Sequence, residues 1–144
     1  MTVEEKIWDF CKNSFANNGS FAFTKNSNLA NVCNAPELPG VYLIYSVKDK
    51  LEQIVYIGKA GSMETDGIFK DQKLRGRINN KQKGMKRQKF FSYKLYEEQL
   101  DKLIIKWCIT YNEKSNKLPG FVEGQLLQLY FEETGKLPRW NEAF

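Results

Sequence analysis

Two short runs of strand-forming residues, Val41-Tyr42-Leu43-Ile44-Tyr45 and Gln53-Ile54-Val55-Tyr56-Ile57, flank the polar turn Lys48-Asp49-Lys50, and no other feature constrains the fold of this chain as much. Aromatic and β-branched side chains favour extended backbone, and a short polar connection returns the second run antiparallel beside the first. Gly40 opens the first run and Gly58 stops the second. A lone hairpin is marginal in water, so other elements must cover it. Val3, Ile7, Trp8, Phe10, Cys11 and Phe15 recur at helical spacing and predict an amphipathic helix over 3–16, ended by Asn17-Asn18-Gly19-Ser20. The Asn-rich stretch from there to Pro39 reads as a long irregular connection holding at most a short turn of helix. A helix is expected over about 69–81, weakened by Gly76. Residues 86–98 stay open: Phe91, Tyr93 and Leu95 alternate as in a strand, whereas Tyr96-Glu97-Glu98-Gln99-Leu100 suits a helix. Leu103 to Tyr111 predicts a third strand, Val122 to Glu133 a helix stopped by Gly135, and Leu137 to Asn141 an extended end. The expected class is α/β, a small, mainly antiparallel three-stranded sheet flanked by helices. Residues 39–144 would form its body and 1–38 an added helix and connection, within one compact domain.

The 144 residues include no His. Chemistry that relies on imidazole as base or metal ligand is therefore excluded, Ser-His-Asp and Cys-His arrangements among it. A base must be Tyr, Lys, a carboxylate or metal-bound water. Cys11, Cys33 and Cys108 are odd in number and widely spaced, which suits reduced thiols in a cytoplasmic protein better than disulfides or zinc. No apolar run is long enough to span a membrane, and the N-terminus lacks the pattern of a secretory signal. The net charge is +5, but it is unevenly placed. Between Phe69 and Lys89, nine Lys and Arg face only Asp71, so this window carries +8 and the rest of the chain −3. Such a concentration suggests a polyanion partner, slightly more than the plain alternative of a solvated charged face.

Five short matches then fall in order. Gly40-Val41-Tyr42 begins the first strand and Tyr56-Ile57-Gly58 ends the second, followed by Lys59-Ala60. Leu74-Arg75-Gly76-Arg77-Ile78 lies on the next predicted helix, Glu123 at the start of the one after the third strand, and Pro138-Arg139-Trp140-Asn141 near the end. Over residues 39–141 the chain resembles the GIY-YIG nuclease family, with Val41 in place of the usual Ile. Taken singly, each match has a plainer reading: strand aromatics fill cores, and Glu near a helix start favours the dipole by about 0.3–1 kcal/mol. Lys81 stands where several family members carry a His, and Glu132-Glu133-Thr134-Gly135 reads as an insertion before Asn141.

The resemblance implies a metal-dependent endonuclease that hydrolyses phosphodiester bonds in DNA, with RNA not set aside. Arg77 would clamp the phosphate with its forked donors. Glu123 would hold one Mg²⁺ or Mn²⁺, a hard cation that keeps most of its waters and can be held by a single carboxylate. Tyr42 or Lys59 would be the base, two alternatives the sequence leaves open. Tyr56 would join Tyr42 in orienting water, and Asn141 would brace the site. Lys73, Arg75, Lys81, Lys83, Lys86 and Arg87 are expected to contact nucleic-acid backbone. The competing reading is a nucleic-acid-binding module of the same fold without catalysis. With no added DNA-binding domain in the sequence, a restriction-like or partner-directed enzyme is expected. Cutting a symmetric site would call for a homodimer, with the Trp8 and Phe15 helix either as its interface or packed on its own sheet.

Overall fold

The hairpin predicted from the two apolar runs is the centre of the computed structural model, which describes all residues, Met1–Phe144. In chain order the helices are α1 (Val3–Ser14), α2 (Leu29–Val32), α3 (Leu74–Ile78), α4 (Arg87–Glu97) and α5 (Pro119–Thr134). The strands are β1 (Asn18–Phe23), β2 (Gly40–Lys48), β3 (Leu51–Ala60), β4 (Ser62–Met63), β5 (Phe69–Lys70), β6 (Lys81–Gln82), β7 (Met85–Lys86) and β8 (Lys102–Ile109). The main sheet is four-stranded and antiparallel, in the order β1-β8-β2-β3. β4 pairs with β5 and β6 with β7 as two small separate ribbons.

β2 pairs on both sides, and every residue from Gly40 to Val47 is buried. This is why its sequence is a continuous apolar run and does not alternate: both faces of the sheet are covered. On one face Tyr42, Ile44 and Val55 pack with Leu74, Ile78, Phe90 and Phe91. On the other, Val41, Leu43, Tyr45 and Ile57 pack with Ile7 and Cys11 of α1 and with Val122 and Leu126 of α5. The three cysteines are free and buried. No helix is long and apolar enough to cross a membrane.

The structure corrects the expected layout in four places. A fourth strand, β1, occupies part of the stretch read as irregular. Its residues are mostly small or polar, and only Phe21 and Phe23 alternate inward. It is held by a partner strand 80 to 90 residues away, with Asn18 opposite Cys108 and Phe23 opposite Leu103. Asn34 secures it, donating to Ser20 O at 2.9 Å and accepting from Trp107 Nε1 at 2.8 Å. Residues 1–38 thus contribute to the same sheet as the rest of the chain. Second, the helix expected over 69–81 shrinks to the five residues of α3. It has no side-chain N-cap, and positive φ at Asp71 (64°) and at Lys83 and Gly84 (52° and 76°) turns the chain into ribbons on either side.

Third, the open segment 86–98 is helical. Arg87, Phe90, Phe91 and Leu95 face inward at i, i+3, i+4 and i+8, and the alternating Tyr93 is exposed. Fourth, the chain from Pro138 turns: Asn141 N donates to Pro138 O at 2.9 Å. Trp140 is buried edge-on against Phe90 and donates through Nε1 to Glu98 at 2.9 Å. As for α1, Phe15 lies in its own chain's core and Trp8 packs against that core beneath Lys106.

Candidate active site

β3 is the outer strand of the sheet, and an outer strand offers unpaired backbone groups. Here the C-terminal segment takes them up. Trp140 N donates to Val55 O at 2.9 Å, while Asn141 accepts from Ile57 N at 3.0 Å and donates to Ile57 O at 2.9 Å. One Asn side chain thus imitates the donor and acceptor of a neighbouring strand. Val55 is the extra residue of a β-bulge: Ile44 pairs with Tyr56, whereas Tyr45 pairs with Ile54. The bulge puts Val55 and Tyr56 on the same face, which turns Tyr56 toward Tyr42. Asn141→Ala is expected to destabilise the protein by roughly 2 kcal/mol, because two buried β3 backbone groups lose their partner. Denaturant unfolding would measure this, and an unchanged midpoint would mean that the side chain braces nothing.

A cleft of about 600 Å³ opens at this edge, lined by Tyr56, Gln82, Lys83, Glu123, Trp140, Asn141 and the last three residues. It draws on segments from both faces of the sheet. Tyr56 comes from one face and lines the cleft; Tyr42, its ring centroid 5.9 Å from that of Tyr56, is buried behind it and does not reach the cleft surface. Gly58 lies between them: a Cβ there would meet Tyr56 Cε2 at 2.7 Å and Tyr42 Oη at 2.9 Å. The glycine that ends the second tripeptide therefore makes room for both rings. From the other face come Lys59 and α5. The Lys59 ammonium reaches over Gly120, 3.5 Å from where a Cβ would sit.

Glu123 is half-buried, and burial pushes its carboxyl above the usual range, opposed by the nearby charges of Lys59 and Arg77. These three side chains, from β3, α3 and α5, therefore share one electrostatic environment. Glu123 is not in the first turn, as α5 begins at Pro119 and has no acidic residue there. Its dipole role is correspondingly weak. Tyr56 is pushed up to about 12, chiefly by burial and next by Tyr42, with Arg87 acting against the rise. At neutral pH Tyr56 keeps its proton.

No group of three His, Cys, Asp or Glu side chains comes together. Glu123 and Glu142 are the carboxylate side chains in the cleft wall; Glu142 is exposed and paired with Lys83, and Asn141 is committed to Ile57. This donor set fits a hard cation that keeps most of its own waters and does not fit a closed tetrahedral zinc site. Partial desolvation of Glu123 favours a bound counter-charge, whereas Lys59 and Arg77 already supply part of it.

The residues expected to touch nucleic acid divide into groups. Lys81, Lys83 and Lys86 are exposed, and Lys83, Lys86 and Lys89 line a shallow groove of about 440 Å³ at the β6–β7 ribbon. Lys83 also pairs with Glu142 at 3.4 Å. Lys73, which precedes α3, is half-exposed. Arg75 is occupied within the fold, donating to Cys33 O at 2.7 Å and to Ala30 O at 2.8 Å. Arg87 corrects the expectation most: it is 2% exposed and donates from Nη2 to Tyr42 Oη at 3.0 Å. Being on the inward stripe of α4, it is beyond the reach of a surface phosphate. The helical spacing of Arg87, Phe90, Phe91 and Leu95 was the sequence signal that could have found it. Compared with protein families, curated proteins and solved structures, the chain has no significant match.

Proposed function

We propose that this chain is a metal-dependent endonuclease of the GIY-YIG type, hydrolysing phosphodiester bonds in DNA. The observation that carries the reading is the meeting of Tyr56, Glu123 and Asn141 in one cleft, with Lys59 and Arg77 close enough to act on the Glu123 carboxyl. These residues are dispersed over the sequence, and packing alone would not need to bring a phenol, a carboxylate and an amide into one cleft. β3, α3 and α5 carry Tyr56, Lys59, Arg77 and Glu123 in turn, and Asn141 follows α5, the chain order that the family resemblance implies.

In this reading Arg77 binds the scissile phosphate and offsets the charge that grows on its oxygens. Tyr56 donates to the same group, and Asn141 fixes the β3 edge on which Tyr56 and Lys59 stand. Tyr42 or Lys59 takes the proton from the attacking water. Glu123 would hold Mg²⁺ or Mn²⁺, which supplies Lewis-acid stabilisation of the leaving oxygen. Lys81, Lys83 and Lys86 lead the polyanion to the cleft.

Supercoiled plasmid with Mg²⁺ or Mn²⁺ is the direct test. Wild type is expected to nick or linearise it, and Arg77→Ala to lower the rate by roughly 10²-fold or more, as when one transition-state donor is removed. Branched DNA and structured RNA run in parallel would identify the substrate class. No cutting of any of them, with salt-sensitive binding retained, would replace this reading by the non-catalytic binding module.

A further inference from the structure

We propose that Arg87 is a positioning residue for the reaction, a buried cation that holds the Tyr42–Tyr56 pair and directs its positive field toward the phosphodiester in the cleft. This rests on the nuclease reading above. Arg87 is 2% exposed, yet it takes part in none of the chain's ion pairs. Its Nε has no hydrogen-bond partner, and Nη1 reaches Ile78 O only at 3.5 Å. A buried charge without a carboxylate is costly, and an apolar side chain of similar volume would fill the same space without that cost. The fold alone therefore gives little reason for a guanidinium here.

Its contacts supply one. Nη2 donates to Tyr42 Oη at 3.0 Å, and the guanidinium carbon lies 5.4 Å from the Tyr42 ring centroid, 5.4 Å from that of Tyr56 and 5.7 Å from that of Phe91. Donation by Arg87 occupies a lone pair on Tyr42 Oη, so the Tyr42 O–H turns away from the guanidinium. Tyr56, packed on the same cation, lines the cleft together with Glu123. Gln82 Oε1 in the cleft wall is likewise buried without a partner. No carboxylate pairs directly with Arg87, and a bound phosphodiester would bring negative charge to the cleft beside Tyr56. Because that charge increases in the transition state, a fixed cation beneath the tyrosines favours the transition state over bound substrate. Its loss should therefore fall on kcat and leave KM nearly unchanged.

The test compares wild type, Arg87→Met and Arg87→Lys in single-turnover and steady-state plasmid cleavage, with thermal unfolding of each and with Tyr42→Phe as a second background. Arg87→Met is expected to lower kcat by about 30-fold or more with KM within about threefold, and to keep a cooperative unfolding transition. Arg87→Lys, which keeps the charge and one donor, is expected to recover most of the loss. In the Tyr42→Phe background Arg87→Met should add little further loss, because the two side chains act as one unit. Wild-type kcat in Arg87→Met, or equal losses in Met and Lys variants that track their unfolding temperatures, would overturn the inference alone. An inactive but folded wild type would overturn the nuclease reading and this inference with it.

Discussion

Glu123→Gln is expected to lower metal-dependent cleavage by about 10³-fold or more and, in chelator at neutral pH, to raise the unfolding temperature. The first effect follows from the several kcal/mol that Lewis-acid stabilisation of a leaving oxygen contributes, each 1.36 kcal/mol being about tenfold in rate. The second follows from burial. Glu123 binds its proton more tightly folded than unfolded, since desolvation raises its carboxyl despite Lys59 and Arg77. A carboxyl raised in this way favours the folded state at low pH. That advantage is lost as pH rises through the carboxylate range, so at neutral pH the ionised side chain weakens the fold. Gln keeps the shape and removes the charge. Mg²⁺ should raise the unfolding temperature of wild type and leave the Gln variant unmoved, because only the carboxylate binds the ion in the folded state. A Gln variant that cuts at the wild-type rate would remove Glu123 from the mechanism.

Gly40→Ala is expected to destabilise the protein by roughly 3 kcal/mol or more and to lower the unfolding temperature by on the order of 10 °C. A Cβ at Gly40 would lie 2.1 Å from the carbonyl oxygen of Cys108 and 2.9 Å from Leu74 Cδ1. The backbone has nowhere to retreat, as Gly40 is paired with Ala60 of β3 on one side and with Ile109 of β8 on the other. Gly124→Ala is the internal control. Within α5 the nearest contact of its Cβ is 3.4 Å, to Phe144 Cζ, and Ala is the better helix former. Calorimetry of the two variants should therefore diverge in sign or at least strongly in size. Equal, small effects would mean that the β2–β8 approach at Gly40 is looser than the geometry requires.

The two glycines of the tripeptides thus have separate reasons. Gly40 allows a backbone of the neighbouring strand to approach, and Gly58 leaves room for two aromatic rings. Neither reason is legible in the tripeptides themselves, where each glycine looks like the punctuation of a strand. The same limit applies to the cleft. Sequence order placed Tyr42, Tyr56, Lys59, Arg77 and Glu123 on the right kinds of element, with α3 shorter than expected and Asn141 in a turn where an extended end was expected. It carried no information on how Asn141 pairs with the β3 edge or on the bulge at Val55 that aims Tyr56.

What the sequence by itself determined is local: the hairpin, α1, β8 and α5, each written in side-chain periodicity that one segment expresses alone. The absence of His, which removes imidazole chemistry, belongs there too. Only the tertiary structure decided the rest. β1 is a strand because β8 offers it a ladder, although Asn18-Gly19-Ser20 favours a turn. α4 is a helix because a core awaits Phe90, Phe91 and Leu95, although Phe91, Tyr93 and Leu95 alternate as a strand would. Arg87, one of nine cations in a basic window, is separated from the others only by the face of α4 on which it lies. Long-range partners outweigh local preference wherever that preference is small, and the burial of a charge is a property of its surroundings, which no short stretch of sequence contains.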